Sequence, residues 1–178
     1  MKLKALFFFA IIGFIFSFLT HFLTCFGINL QKHIPSIQII NIGFSIVFLL
    51  SLFDTGGYKG KYKGDDNDNL DIFLKGIKSL PRWMKVSCVI IFIYSSINTA
   101  IISGLIPQGV ALLINGKYEL INGHKELIYL DLKEYVKIKI YEMRISSGLW
   151  MSFYFISATI LYSKIKEYLH LLFLKRIN

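Results

Sequence analysis

His21 and Cys25 stand four residues apart, on one face of any helix that carries them. With His33 and His124 they make three imidazoles and one thiol, a donor set suited to zinc or copper. Their spacing is not that of a compact site, since 91 residues separate His33 from His124. A hydrogen-bonded histidine is the plainer expectation for each, and no metal is expected. A haem held between two helices needs axial ligands at similar depth. His170 lies beyond the last apolar run, at the other side of any bilayer, so no cofactor is expected either. Asp65, Asp66, Asp68 and Asp71 superficially suggest calcium. The helix–loop–helix calcium site needs Gly at its sixth position and Glu at its twelfth, and no register here supplies both. A solvated loop accounts for them. Walker, H-E-x-x-H, G-x-S-x-G and dinucleotide fingerprints are all missing.

Ser96, Thr99 and Ser103 fall on one helical side, joined by Ser95 and Asn98. Small and polar residues gathered on an apolar helix mark a helix contact or line a pore, and contact is the expectation because no charge accompanies them. Arg144 stands at the mouth of the last apolar run, where it could meet Glu134, Glu142 or a lipid phosphate. Trp150 and Trp83 are expected to anchor helices at the two membrane interfaces.

The run Asn115-Gly-Lys-Tyr118, Glu134-Tyr135, Arg144 and Ser147-Gly148-Leu149-Trp150-Met151 resembles a segment of small bacterial four-helix integral membrane proteins. In those a Gly-x-Tyr hairpin, a Glu-Tyr helix and an Arg-x-x-Ser-Gly-His-Trp-Met junction precede the last span. The likeness covers about residues 115–155, with Leu149 in place of the histidine and Gly123-His124 in place of His-Gly. It implies a four-helix layout and brings no activity with it.

Four stretches must position these residues: about 5–26, 34–53, 86–106 and 145–163, none holding Asp, Glu, Lys or Arg. A hydrocarbon core of about 30 Å needs roughly 20 apolar residues at 1.5 Å rise each. With 54% hydrophobic residues, 16 Phe and 10 Tyr, the chain reads as an all-α polytopic membrane protein. Two Lys or Arg precede the first span, one lies in the first loop, seven in the second, six in the third and four in the tail. Placing both termini in the cytoplasm puts 13 of them inside and 7 outside, the orientation that the positive-inside rule favours. The net charge of +9 is then topological, and nucleic acid is not an expected partner. The first run is too long for a signal-peptide core and no small-x-small site follows it, so it reads as an uncleaved anchor. Cys25 and Cys88 fall at opposite faces of the bilayer, beyond disulfide reach.

The whole chain, 1–178, thus reads as one membrane domain with two excursions. A tight turn at 27–33 and Pro35, as a first-turn residue, make spans one and two a hairpin. Residues 54–85 form a cytoplasmic loop, Gly-rich and polar to residue 69. A basic amphipathic helix follows over 70–85 and lies in the headgroup layer. Residues 108–144 form an extracytoplasmic element. Val110–Ile114 and Lys117–Ile121 flank Asn115-Gly116, a strong signal for a two-residue hairpin. Asn122-Gly123 and Glu126–Leu130 suggest a second turn and a third strand. Asp131 and Glu134 make a capping box for a helix, although 136–141 also alternates with strand period. A helix there would run straight into span four, and the tail from Lys164 keeps helical character.

Enzymes working inside membranes keep ionisable groups in their helices, and His21 is the sole one in these spans. The expectation is therefore a non-enzymatic inner-membrane protein acting through contacts with another membrane protein or another copy of itself. An accessory subunit and an immunity-type protein are the two forms considered. A channel or small-solute carrier built from several copies, lined by Ser95, Ser96, Asn98, Thr99 and Ser103, is the first alternative. A metal or redox protein using His21, Cys25, His33 and His124 is the second.

Overall fold

The computed structural model describes residues 2–34, 37, 39–53, 78, 80–107, 109–121 and 127–177. The helices are α1 (Lys2–Cys25), α2 (Leu30–His33), α3 (Ile39–Phe53), α4 (Arg82–Leu105) and α5 (Leu132–Ile177). Between α4 and α5 lie strands β1 (Val110–Ile114), β2 (Lys117–Ile121) and β3 (Leu127–Tyr129), an antiparallel sheet in that order. Three stretches are long and apolar enough to cross a membrane: Leu3–Cys25, Arg82–Leu105 and Leu132–Lys166. Their outward faces are greasy, with Phe8, Phe9, Phe16, Ile90, Ile93 and Ile101 each about half exposed or more. Such a perimeter suits lipid and would be a liability in water.

The core is organised around α5, against which α1, α3 and α4 all pack. Ala10, Val47, Trp150, Tyr154, Ala158 and Leu161 form its apolar heart, joined by Ile37. Contacts at the two ends fix the directions. His21 of α1 and Asn98 of α4 meet Arg144 near the sheet, while Phe7 meets Tyr162 and Cys88 meets Thr159 at the far end. So α1 and α4 run antiparallel to α5. Tyr154 bonds Ile40 and Lys164 bonds Ser51, so α3 runs alongside α5 in the same sense.

Ala10, Ser17, Thr20, His21 and Thr24 give α1 a narrow inward stripe of mostly small buried residues. Small residues let helix backbones approach closely, and dispersion between them replaces the hydrophobic drive that lipid removes. Gly13 extends that stripe. A Cβ built there would clash with the edge of the Tyr154 ring, and one built on Gly43 would sit 2.7 Å from the Tyr154 hydroxyl. The tyrosine therefore passes between α1 and α3, and its hydroxyl donates to the Ile40 carbonyl at 3.2 Å.

Of the expected span 34–53, the described helix is Ile39–Phe53. A one-turn helix, α2, precedes it within the expected tight turn and ends at its C-cap Ile34 (φ −133°, ψ 82°). The Ile34 carbonyl accepts from Ile37 N–H at 3.0 Å, and α2 stops there because proline at 35 disfavours helical dihedrals for the residue before it. Residues 35, 36 and 38 lie outside the described residues. Ile37 inserts into the core beside Leu30 and Ile40, so this segment runs along α5. At the end of α3 the Lys164 ammonium donates to the Ser51 carbonyl at 2.6 Å, satisfying an orphan acceptor of the last turn.

The other boundaries shift for local reasons. α4 starts at Arg82 rather than 86, because Pro81 is its N-cap and the Pro81 carbonyl accepts from Met84 and Lys85. Of the expected amphipathic helix over 70–85, residues 70–77 and 79 lie outside the described residues and 82–85 belong to α4; Asp65, Asp66, Asp68, Asp71, His124 and the Asn122-Gly123 turn also lie outside them. The helix that carries span four begins well before 145. Helix runs unbroken from Leu132, and the strand-like alternation of 136–141 yields to a reciprocal cap. Glu134 N–H donates to Asp131 Oδ1 at 2.7 Å, and Asp131 N–H donates to Glu134 Oε2 at 3.0 Å.

The hairpin forms as its turn residues require. Asn115 (φ 50°) and Gly116 (φ 79°) both adopt positive φ, the pair a type I′ turn needs. Val110 pairs Ile121 and Ile114 pairs Lys117, which sends Ala111, Tyr118 and Leu120 to one face. That face closes a second small core against Tyr135 and Ile138 of α5, with the Tyr118 and Tyr135 rings 4.7 Å apart.

Candidate functional site

One group of polar residues gathers near the sheet, where α1, α4 and α5 meet. His21 is buried at the centre. Its Nδ1 lies 3.1 Å from the Arg144 carbonyl and 3.2 Å from Ser147 Oγ, and its Nε2 lies 2.8 Å from the Tyr94 hydroxyl. A carbonyl can only accept, so Nδ1 carries the proton of the neutral ring. Nε2 then accepts from Tyr94. Each ring nitrogen is thus engaged, and the imidazole ties α1 to α4 and α5 at once.

Asn98 and Arg144 form the adjoining pair. Arg144 Nε donates to Asn98 Oδ1 at 2.9 Å, which identifies the amide oxygen and leaves Nδ2 on the other side. Asn98 is buried, and its Nδ2 has no partner. The expected meeting of Arg144 with Glu134 or Glu142 does not occur. Glu142 is held by Lys139 at 2.8 Å, one turn away, and Glu134 is committed to the cap. Among the described residues no carboxylate pairs with Arg144.

Gly148 permits the convergence. A Cβ there would lie 3.3 Å from His21 Cε1 and 3.5 Å from Asn98 Nδ2. Just below, Ser95 Oγ donates to the Gly148 carbonyl at 2.8 Å and sits 2.6 Å from Ser152 Oγ. The stripe expected on α4 therefore splits. Ser95 and Asn98 are buried against α5, whereas Ser96 and Ser103 are exposed, and Ser96 Oγ bonds back to the Phe92 carbonyl. Buried Thr99 Oγ1 has no partner.

Of the two tryptophans, Trp83 is 63% exposed in the first turn of α4, as an interfacial anchor would be. Trp150 is not an anchor: it is 3% exposed and part of the apolar core, because α5 is surrounded on several sides at that level. Cys25 is exposed and Cys88 half-buried, and both are free thiols. His33 is exposed in α2. The donors considered for a metal are not assembled: among the described residues no group of three His, Cys, Asp or Glu could hold an ion.

Tyr94 and Ser147 were missing from the candidate residues as partners of His21. A tyrosine in an apolar run signals only a possible interface residue. The Ser147-Gly148 pair, small side chains beside an Arg, is the signal that a neighbouring helix closes in. Ser147, beside the His21 ring, is fully buried. The arrangement has the form of a structural lock with one unspent cation at its edge. Comparison of the chain with protein-family models, curated proteins and solved structures finds no match among any of them.

Proposed function

We propose that this chain is a non-enzymatic multi-pass protein of the bacterial inner membrane that acts through protein–protein contacts. In this reading α1, the α2–α3 segment, α4 and α5 cross in turn. Both termini face the cytoplasm, and the sheet with the start of α5 stands outside. The alternation of helix directions supports four crossings, and the 13-to-7 distribution of Lys and Arg supports the orientation.

The observation that carries the contact role is the sheet face turned away from α5. Leu112, Leu127 and Tyr129 are exposed on it, Val110 extends it, and β1 and β3 each leave an edge unpaired among the described residues. In its middle Glu119, paired across to Leu112 and Tyr129, is 8% exposed with no ion pair among the described residues. A greasy face with strand edges unpaired among the described residues suits a partner's strand. An accessory subunit or an immunity-type protein would use such a face.

Photo-crosslinking tests this. Tyr129→benzoylphenylalanine in living cells should give discrete higher-mass protein adducts, and the same change at lipid-facing Ile90 should give none. Absence of adducts from Tyr129, Leu127 and Leu112, with a monomer alone in mild detergent, would sink the reading. The channel alternative is weakened because Ser95 and Asn98 are spent on contacts within one copy. The redox alternative is weakened because both nitrogens of His21 are engaged.

A further inference from the structure

We infer that the Arg144 guanidinium, oriented by Asn98, is a binding site for a phosphate group at the sheet end of the bundle, a site separate from the sheet face above. Arginine offers five N–H donors, and here one is used, Nε to Asn98 Oδ1. The remaining guanidinium nitrogens have no partner among the described residues. They are not sealed either, because the buried side-chain polar atoms without partners are Ser17 Oγ, Asn98 Nδ2 and Thr99 Oγ1. The Asn98 oxygen holds Nε and so orients an accessible planar fork that lacks its acceptor, while Asn98 Nδ2 is turned inward beside Gly148 and stays sealed.

Position selects the class of anion. Arg144 and Lys164 are twenty residues apart on α5, about 30 Å along a helix, which equals the hydrocarbon thickness. Lys164 is bonded to the carbonyls that end α3, so Arg144 lies at the opposite boundary, where lipid phosphates reside. Side chains on a helix lean toward its N-terminus, which here tilts the guanidinium away from the hydrocarbon. Arg matches phosphate oxygens with two parallel hydrogen bonds. An arginine at this depth without a carboxylate is costly unless such an acceptor meets it. A lipid headgroup and a free phosphate ester would supply the same chemistry.

The test uses the full chain in neutral maltoside detergent and follows its thermal midpoint. The probes are dioctanoyl-phosphatidylglycerol, inorganic phosphate and phosphate-free dioctanoylglycerol. The phospholipid should raise the midpoint saturably, and dioctanoylglycerol should not. Half-saturation should need at least tenfold more phospholipid in Arg144→Gln and at least threefold more in Arg144→Lys, which keeps the charge and loses the fork. Lys133→Gln should bind as the parent does. A midpoint raised by inorganic phosphate as well assigns the site to free phosphate, and a response to phospholipid alone assigns it to a headgroup. Either supports the site. No response of the parent protein to either phosphate probe overturns it. So does an equal response in folded Arg144→Gln or Arg144→Lys, or a loss in Lys133→Gln as large as in Arg144→Gln.

Discussion

Tyr154 shows how much one side chain settles when lipid surrounds a bundle. Its ring occupies the place where Gly13 has no Cβ, its hydroxyl reaches past Gly43 to the Ile40 carbonyl, and Phe44 meets it edge-on. Two helices are thereby set against α5 by a single ring. Gly13→Ala puts a carbon against the edge of that ring, so either the ring or α1 must move. We expect a loss of about 1–3 kcal/mol, the usual cost of overpacking. Tyr154→Phe should lose only about 1 kcal/mol with its hydrogen bond, while Tyr154→Ala should lose about 3–5 kcal/mol with its ring. Unfolding in mixed micelles of increasing sodium dodecyl sulfate measures all three, and a Gly13→Ala protein as stable as the parent would contradict the packing described. Gly13 reads in the sequence as a small gap in a Phe-rich helix. Which ring fills the gap depends on α5, 141 positions later, and no local pattern carries that information.

At the scale of elements, the start of α5 is where competing local signals meet. Val136, Ile138 and Ile140 alternate with lysines as a strand would, yet the segment is helical. The Asp131–Glu134 cap removes two orphan donors at once, and Tyr135 and Ile138, three apart, then face the sheet. Period 2 and period 3.6 both fit so short a run, and the cap decides between them. Asp131→Ala should weaken the first turn by about 0.5–2 kcal/mol. Amide hydrogen exchange at residues 133–136 should rise several-fold, with exchange in α4 unchanged; unaltered protection at those residues would show that the sheet alone holds the helix. The hairpin was more legible because Asn-Gly leaves few turn types open. The start of the second crossing is less legible for the opposite reason: proline both opens and ends helices, and only the neighbouring conformations tell which.

Across the whole molecule, apolar runs without charges announce membrane-length helices in advance, because lipid tolerates few other backbones. Their arrangement is not announced, since every one of them is greasy on nearly all sides. The contacts that rank α5 as the hub come from Ser, Gly, Tyr and Asn scattered within those runs. In the four-crossing orientation Cys25 and Cys88 lie near opposite faces, which allows a direct check. A membrane-impermeant maleimide applied to intact spheroplasts should label Cys25 and leave Cys88 unlabelled until the cells are opened. The reverse pattern would invert the topology. One further consequence follows from α5, whose 46 residues make a rod of about 69 Å. The chain emerges from the ribosome in order, so in the four-crossing reading α1, α3 and α4 enter the bilayer before the rod against which each must pack. During that interval His21, Asn98 and Ser95 face lipid without their partners. Biogenesis therefore needs either an insertase groove to shelter these polar groups or fast release of the closing helix, and slowing synthesis just before residue 132 should expose the waiting helices to membrane proteases.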